Sequence, residues 1–320
     1  MIQKPLVVIV GPTAAGKTGL SIELALELEG EIVSADSMQI YKYMDIGTAK
    51  PTPEEQKGIQ HYLIDEVTPD QAFSVARYKA LADNYIEQIR SKGKLPVMVG
   101  GTGLYIDSTV RNIQFSETVC DWDYRRYLHE TAQTKGNQYL HRMLEQVDPL
   151  TAHKLHVNDV RRIIRALEVY RFTGIPMSKH QEESRKQPSP YNIAMIGLTM
   201  DRALLYERIN ARVDLMLRQG LVDEVKKLMD MGYTEDMTSM KGLGYKEIID
   251  YLKGKTTLEE AVEILKRDTR RYAKRQLTWF RRNKNIYWID VYDRYRPKDL
   301  DLSNELLKKS VKHIVGTGVI

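Results

Sequence analysis

Eight consecutive residues, Gly11, Pro12, Thr13, Ala14, Ala15, Gly16, Lys17 and Thr18, fit the pattern Gly-x4-Gly-Lys-Ser/Thr. That spacing serves the binding of a di- or triphosphate. Backbone N–H groups of the loop cradle the phosphate oxygens, the lysine brings a point charge, and the Ser/Thr hydroxyl can reach a magnesium ion. Loops of this nucleotide- and ATP-binding type occur in kinases, triphosphatases and diphosphate-releasing transferases, so the loop alone names no reaction. Asp36 is the sharpest single acid, and it could be a catalytic base, a ribose contact or a helix cap. Thr102, in Gly100-Gly-Thr-Gly-Leu-Tyr105, is either a turn residue or a hydroxyl facing reacting groups. Arg208 and Arg212 are four residues apart, a spacing that repels slightly on a helix and suits either a solvated face or a pair clamping an anion.

These residues require a scaffold of alternating strands and helices. Leu6–Val10 is a short continuous apolar run that predicts a buried strand, and Leu20, Ile22, Leu24, Leu26 and Leu28 predict a helix stopped by Gly30. Strands are expected again at Glu31–Ala35, His61–Val67 and Leu95–Val99, with a helix from an N-cap at Ser74 to Gly93. Met44–Pro51 reads as a loop. Such alternation implies a parallel sheet covered on both faces, with ligands beyond the carboxyl ends of its strands. The phosphate loop, Asp36 and the Gly100–Gly103 loop all follow strands and should meet in one crevice.

From 116 to 190 the apolar spacing is helical. Val160, Ile163, Ile164 and Leu167 share one face, which leaves Arg161, Arg165 and Glu168 on another. Asn192–Leu198 resumes as a strand. Asp201 should cap a helix carrying Leu205, Ile209, Val213, Met216 and Leu217 inward. Helices are expected at Leu221–Asp230, Tyr245–Leu252 and Leu258–Arg282, then a strand at Ile286–Ile289. The fold expected is α/β: a P-loop parallel-sheet core over 1–115 and 191–292, a helical insertion over 116–190, and a tail over 293–320 without an evident role.

The 320-residue chain has 42% hydrophobic and 28% charged residues, which is ordinary globular composition. No apolar run is long enough to cross a membrane, and a signal peptide is not evident, so no membrane association and a cytoplasmic location are expected. Cys120 is the only cysteine, which excludes an internal disulfide and a Cys/His zinc cluster. Net charge is +5, yet Arg267–Lys284 alone holds eight basic residues and one acid. Arg267, Arg270, Arg271, Lys274, Arg275, Arg281 and Arg282 have helical spacing and interleave with Tyr272, Trp279 and Phe280. A solvated helix face is one explanation; contact with a phosphate backbone accounts better for the shortage of acids. Arg161, Arg162 and Arg165 form a candidate second patch.

The chain resembles the bacterial tRNA dimethylallyltransferases, also called tRNA isopentenyltransferases. The resemblance lies in Gly11–Thr18, Ser34-Ala-Asp-Ser37, Tyr43-Met-Asp-Ile-Gly-Thr-Ala-Lys-Pro51, His61-Tyr-Leu-Ile-Asp65 and Gly100–Tyr105. It continues through Arg161-Arg-Ile-Ile-Arg-Ala-Leu-Glu168, Gly242-Leu-Gly-Tyr-Lys-Glu247 and Tyr272-Ala-Lys-Arg-Gln-Leu-Thr-Trp-Phe280. It implies transfer of a five-carbon allylic group from dimethylallyl diphosphate to N6 of the adenosine 3′ of a tRNA anticodon, with Mg2+ as cofactor. It implies Asp36 as the base, Thr102 near the reacting atoms, and Lys17, Thr18 and Arg212 on the departing diphosphate. Asp36, Ser37, Met38 and Gln39 would contact the target nucleotide, and Lys241, Arg271, Lys274, Arg275 and the insertion arginines the rest of the tRNA. Only Thr18 is nominated for the metal, because the usual second acidic ligand is not visible. The zinc module of eukaryotic relatives is excluded by the lone cysteine, and a monomer is expected. Competing readings are a small-molecule kinase, which needs no basic stripe, a nucleotide-gated RNA-binding module, which gives Asp36 no task, and a transferase acting on free adenine nucleotides.

Overall fold

The computed structural model describes residues 3–115, 121–291 and 302–320; Cys120 and the first residues expected in the insertion lie outside them. The chain forms two compact units, Met1–Thr109 with Pro190–Ile320, and Val110–Ser189.

The first unit is built on six parallel strands: β1 (Lys4–Val10), β2 (Gly30–Ser34), β3 (His61–Tyr62), β4 (Leu95–Gly100), β5 (Tyr191–Thr199) and β6 (Tyr287–Asp290), in the order β3-β2-β4-β1-β5-β6. Parallel pairing requires crossovers, and helices supply them: α1 (Lys17–Glu27), the short α2 (Pro53–Gln56), α3 (Val75–Ser91) and α4 (Gly103–Val110). With helices on both faces, a central strand such as β1 has no polar side, and its Leu6-Val-Val-Ile-Val10 run is fully buried. The strands β2, β4 and β1 are adjacent, so the three loops that follow them emerge side by side.

The second unit contains α5 (Trp122–Lys135), α6 (Asn137–Val147), α7 (Pro149–Lys154), α8 (Val160–Thr173) and α9 (Met177–Lys186). Its own core gathers Leu128, Leu140, Leu144, Ile163, Ile164 and Leu167. Asp148 caps α7 through Thr151 N and also receives Ser178 N, which ties α9 to the bundle. The first unit resumes with α10 (Arg202–Arg218), α11 (Leu221–Asp230), α12 (Tyr245–Leu252), α13 (Leu258–Phe280) and α14 (Leu302–Gly316). Asp201 caps α10 and Ser74 caps α3, as the residue types predict.

Several expectations are corrected. The strand expected over His61–Val67 pairs only at His61 and Tyr62, because Leu63 and Asp65 adopt left-handed backbone angles that end the ladder. Val67 then returns as a single bridge to Tyr41. Gly30 is not the helix stop but the first residue of β2; Glu29 takes the left-handed turn. Leucines two apart cannot share one helix face, and Leu26 is indeed exposed. Met216 and Leu217 are only half-buried while Leu205, Ile209 and Val213 are buried. Glu168, expected on a polar face, is buried. The end of the tail is structural: Leu306, Ile314 and Val319 join the core beside α1 and β5, and Asn192 Nδ2 donates to Gly318 O at 2.8 Å. No helix among the described residues is long and apolar enough to cross a membrane.

Candidate active site

The loop after β1 holds Gly16 in the left-handed region (φ 87°), a conformation glycine adopts freely, and α1 begins at the next residue, Lys17. No side chain caps this helix end and no acid lies in its first turn, so the partial positive charge of its N–H groups is unopposed. Thr18 is exposed at the start of that turn. Lys17 is half-buried, and its Nζ donates to Pro12 O at 2.8 Å. Burial pulls its pKa down to about 8, against the attraction of Asp36 and with the help of Arg212. Two arginines of α10 brace the loop. Arg208 Nε donates to Ala14 O at 2.8 Å, and Arg212 approaches Thr13 Oγ1 at 3.5 Å.

The loop after β2 turns on Asp36, whose Oδ1 accepts from Met38 N at 2.9 Å and Gln39 N at 3.4 Å. The loop after β4 meets it. Thr102 N donates to Ala35 O at 3.1 Å, and the Thr102 hydroxyl accepts from Ser37 N at 3.0 Å. Thr102 therefore fixes the Asp36–Ser37 turn. Burial of Tyr272 on α13, aided by the Asp36 charge, raises its phenol to about 12.

A cavity of about 360 Å3 lies at this junction, lined on its polar side by Thr13, Asp36, Arg212, Lys241, Tyr272 and Arg275. Ile209, Val213, Met216 and Leu265 give it an apolar wall, and Met38 and Ser37 also face it. Phosphate-loop and acid residues, which follow adjacent strands, thus border one space together with basic-stripe residues that α13 brings to it.

Other expected contacts are engaged within the protein. Gln39 Nε2 donates to Thr48 O and Ala49 O, both at 3.2 Å, and its Oε1 accepts from Ser34. Arg271 and Arg267 pair with Asp268, whereas Lys274 and Arg275 are exposed, with Arg275 5.7 Å from the Tyr272 ring. In the second unit Arg161 and Arg162 are exposed, and Arg162 is 3.7 Å from Asp159. Arg165 joins Arg125 on the buried Glu168 carboxylate, which leaves it less available to an outside anion.

Two important residues are not singled out by the sequence. Glu224 of α11 accepts from Asp45 N, Ile46 N and Gly47 N at 2.9, 2.8 and 3.1 Å and from Tyr245 OH at 2.8 Å. It clasps the loop whose Gly47, Thr48 and Ala49 wall the cavity. Gln276 is the other; it lies inside the Tyr272–Phe280 motif, where it stands out only as a neutral side chain within a basic stripe.

Among the described residues no three or more His, Cys, Asp and Glu side chains are placed to hold a metal ion. A magnesium ion carried on phosphate oxygens needs only one or two protein ligands, with water completing its shell. The exposed Thr18, at the N-terminus of α1, carries a hydroxyl that fits that demand.

Residues 39–283 match the IPP transferase family. The chain is 60% identical over 310 residues to the tRNA dimethylallyltransferase of Acetivibrio thermocellus, covering 97% of each chain. It is 54% identical over 289 residues to that of Carboxydothermus hydrogenoformans, covering 90% of this chain and 93% of the relative. Among solved structures, the tRNA isopentenylpyrophosphate transferase of Bacillus halodurans superposes with a TM-score of 0.73 at 46% identity, over 99% of this chain and 98% of that one. A eukaryotic dimethylallyltransferase acting on tRNA superposes with a TM-score of 0.81 at 30% identity, over 98% of this chain and 80% of that one.

Proposed function

The chain belongs to the IPP transferase family, and from that premise we propose that it moves the dimethylallyl group of dimethylallyl diphosphate to N6 of the adenosine 3′ of a tRNA anticodon, releasing diphosphate. The observation that carries this reading is the shared border of Thr13, Arg212 and Asp36 on one cavity with an apolar wall. The loop is accordingly assigned to the donor diphosphate rather than to ATP.

An exocyclic adenine amine is a weak nucleophile, because its lone pair is delocalised into the ring. As the N6–C1 bond forms and the C1–O bond breaks, Asp36 accepts the N6 proton and the bonding electron pair leaves on the diphosphate. The allylic carbon tolerates positive charge, so the chief demand is stabilisation of the leaving oxygens. Loop N–H groups, Lys17, Thr18 and Arg212 are the groups assigned to it. Thr18 would hold a magnesium ion, which supplies further charge neutralisation on the diphosphate. Thr102 keeps the Asp36 turn in place. A stacked base cannot enter such a cavity, so the adenosine is extruded from its loop. Lys274 and Arg275, with Arg271, Lys241 and the insertion arginines Arg161 and Arg162, are assigned to the tRNA backbone. The enzyme is taken to act in the cytoplasm as a monomer.

The test is incubation with labelled dimethylallyl diphosphate and magnesium, with tRNA or AMP as acceptor, beside a parallel reaction with ATP. Label in tRNA alone supports the reading. Label in AMP, or consumption of ATP without transfer, contradicts it.

A further inference from the structure

Gln276 is buried in α13 and spans the two glycine-containing loops of the site. Its Oε1 accepts from Thr13 N at 2.9 Å, and its Nε2 donates to Gly101 O at 3.0 Å. Gly101 directly precedes Thr102, whose hydroxyl holds the Ser37 amide. One turn earlier on α13, Tyr272 lines the same cavity as Asp36 and Thr13. Three residues later, Trp279 Nε1 donates to Asp107 at 3.0 Å, and its ring occupies the space that a Cβ on Gly103 would need. One face of α13 therefore grips both loops while Lys274 and Arg275 remain exposed.

Resting on the reading under Proposed function, we infer that Gln276 is a positioning residue whose carboxamide sets the separation between the diphosphate loop and the Asp36–Thr102 side. That separation governs the approach of N6 to the allylic carbon, and a misplacement of about 1 Å in such an approach can cost about a hundredfold in rate. The side-chain type follows from the two bonds. The position requires a donor at one end and an acceptor at the other, with no charge beside a diphosphate that becomes more negative in the transition state. A glutamate meets this requirement only when protonated. As a carboxylate it confronts Gly101 O without a donor and repels the leaving group. As a carboxylic acid it donates to Gly101 O and accepts from Thr13 N, as the amide does.

Gln276→Glu should therefore show a pH dependence that a purely structural role would not produce. The titratable groups around the position are Tyr272 on α13, Asp36, and Lys17 and Arg212 across the site. All are present in the wild type, so the variant-to-wild-type ratio removes their contribution. At saturating tRNA and donor, the ratio of turnover should be about one hundredth at pH 8 and rise at least tenfold toward pH 5.5. Gln276→Met, uncharged and similar in volume, should lower kcat ten- to a hundredfold at every pH, with tRNA and donor Kd within about threefold of wild type. A flat ratio for Gln276→Glu, or wild-type kcat in Gln276→Met, overturns the inference. Transfer by the wild type is measured first, since its absence overturns the functional reading and the inference with it, a failure distinct from that of the variants.

Discussion

Lys17 Nζ donates to the backbone oxygen of Pro12 at 2.8 Å, so the lysine is folded back over its own loop. Burial there lowers its pKa from 10.5 to about 8. Between those values the unfolded chain holds a proton that the folded chain lacks, so this group makes stability rise with pH across that window. Below it, the buried charge is a constant cost. Lys17→Met should raise the melting temperature of the unliganded protein at pH 7, with the gain shrinking as pH rises through the window. The same variant should lose at least a hundredfold in turnover. Wild-type affinity for dimethylallyl diphosphate should weaken above about pH 8, where the free lysine loses its proton. Scanning calorimetry and isothermal titration across pH check both limbs.

The Glu224 clasp predicts an effect on the acceptor rather than the donor. Glu224→Ala leaves three loop N–H groups and Tyr245 OH without their carboxylate. Stability should fall by about 2 to 3 kcal/mol in denaturant melts. The tRNA KM should rise severalfold with donor Kd unchanged. Glu224→Gln, which keeps the shape, should lie between.

In the second unit, Glu168 accepts from Arg125 and Arg165. Burial alone would raise its carboxyl pKa, but hydrogen bonds from Arg125 and Arg165 outweigh it and lower the value. A depressed carboxylate stabilises above its unfolded pKa and loses that contribution as pH falls through the folded value, so the insertion should loosen only under acid conditions. Glu168→Ala should cost about 2 to 4 kcal/mol, somewhat less than a fully buried pair because both arginines are partly exposed. Faster hydrogen exchange across α5 and α8 in the whole protein is the expected readout.

The basic stripe predicts a salt effect. Arg275→Glu with Arg271→Glu should raise the tRNA Kd tenfold or more. Its log–log dependence on salt should flatten by about one unit for each phosphate that is no longer neutralised. Arg275 should account for most of the change, since Arg271 already pairs with Asp268. Unaltered affinity in the double variant would make the stripe an ordinary solvated face.

Elements whose residues carry their own geometry were legible in sequence. The run at β1 reads as buried because parallel strands are covered on both sides, and Gly16-Lys17-Thr18 identifies the loop without help from the rest of the chain. Placing three loops together required only that each follow a strand. What escaped depends on distant partners. Glu224 meets Gly47 from 177 residues away, and nothing local marks it as a clasp. Gln276 looks like a gap in a charge stripe until Thr13 and Gly101 are placed beside it. Glu168 reads as surface because its charge hides two arginines that neutralise it, one of them on α5. Likewise, α14 shows its purpose only when Ile314 reaches the core.

Assigning the proton to Asp36 is the central claim, and Asp36→Asn tests it most directly. The amide keeps the size of the side chain and can still accept from Met38 N and Gln39 N, but it cannot take the N6 proton. Single-turnover transfer with saturating tRNA and dimethylallyl diphosphate should slow roughly a hundred- to ten-thousandfold, while both dissociation constants change little. A chemical step within about threefold of wild type would contradict the assignment and leave Asp36 the architect of its turn alone.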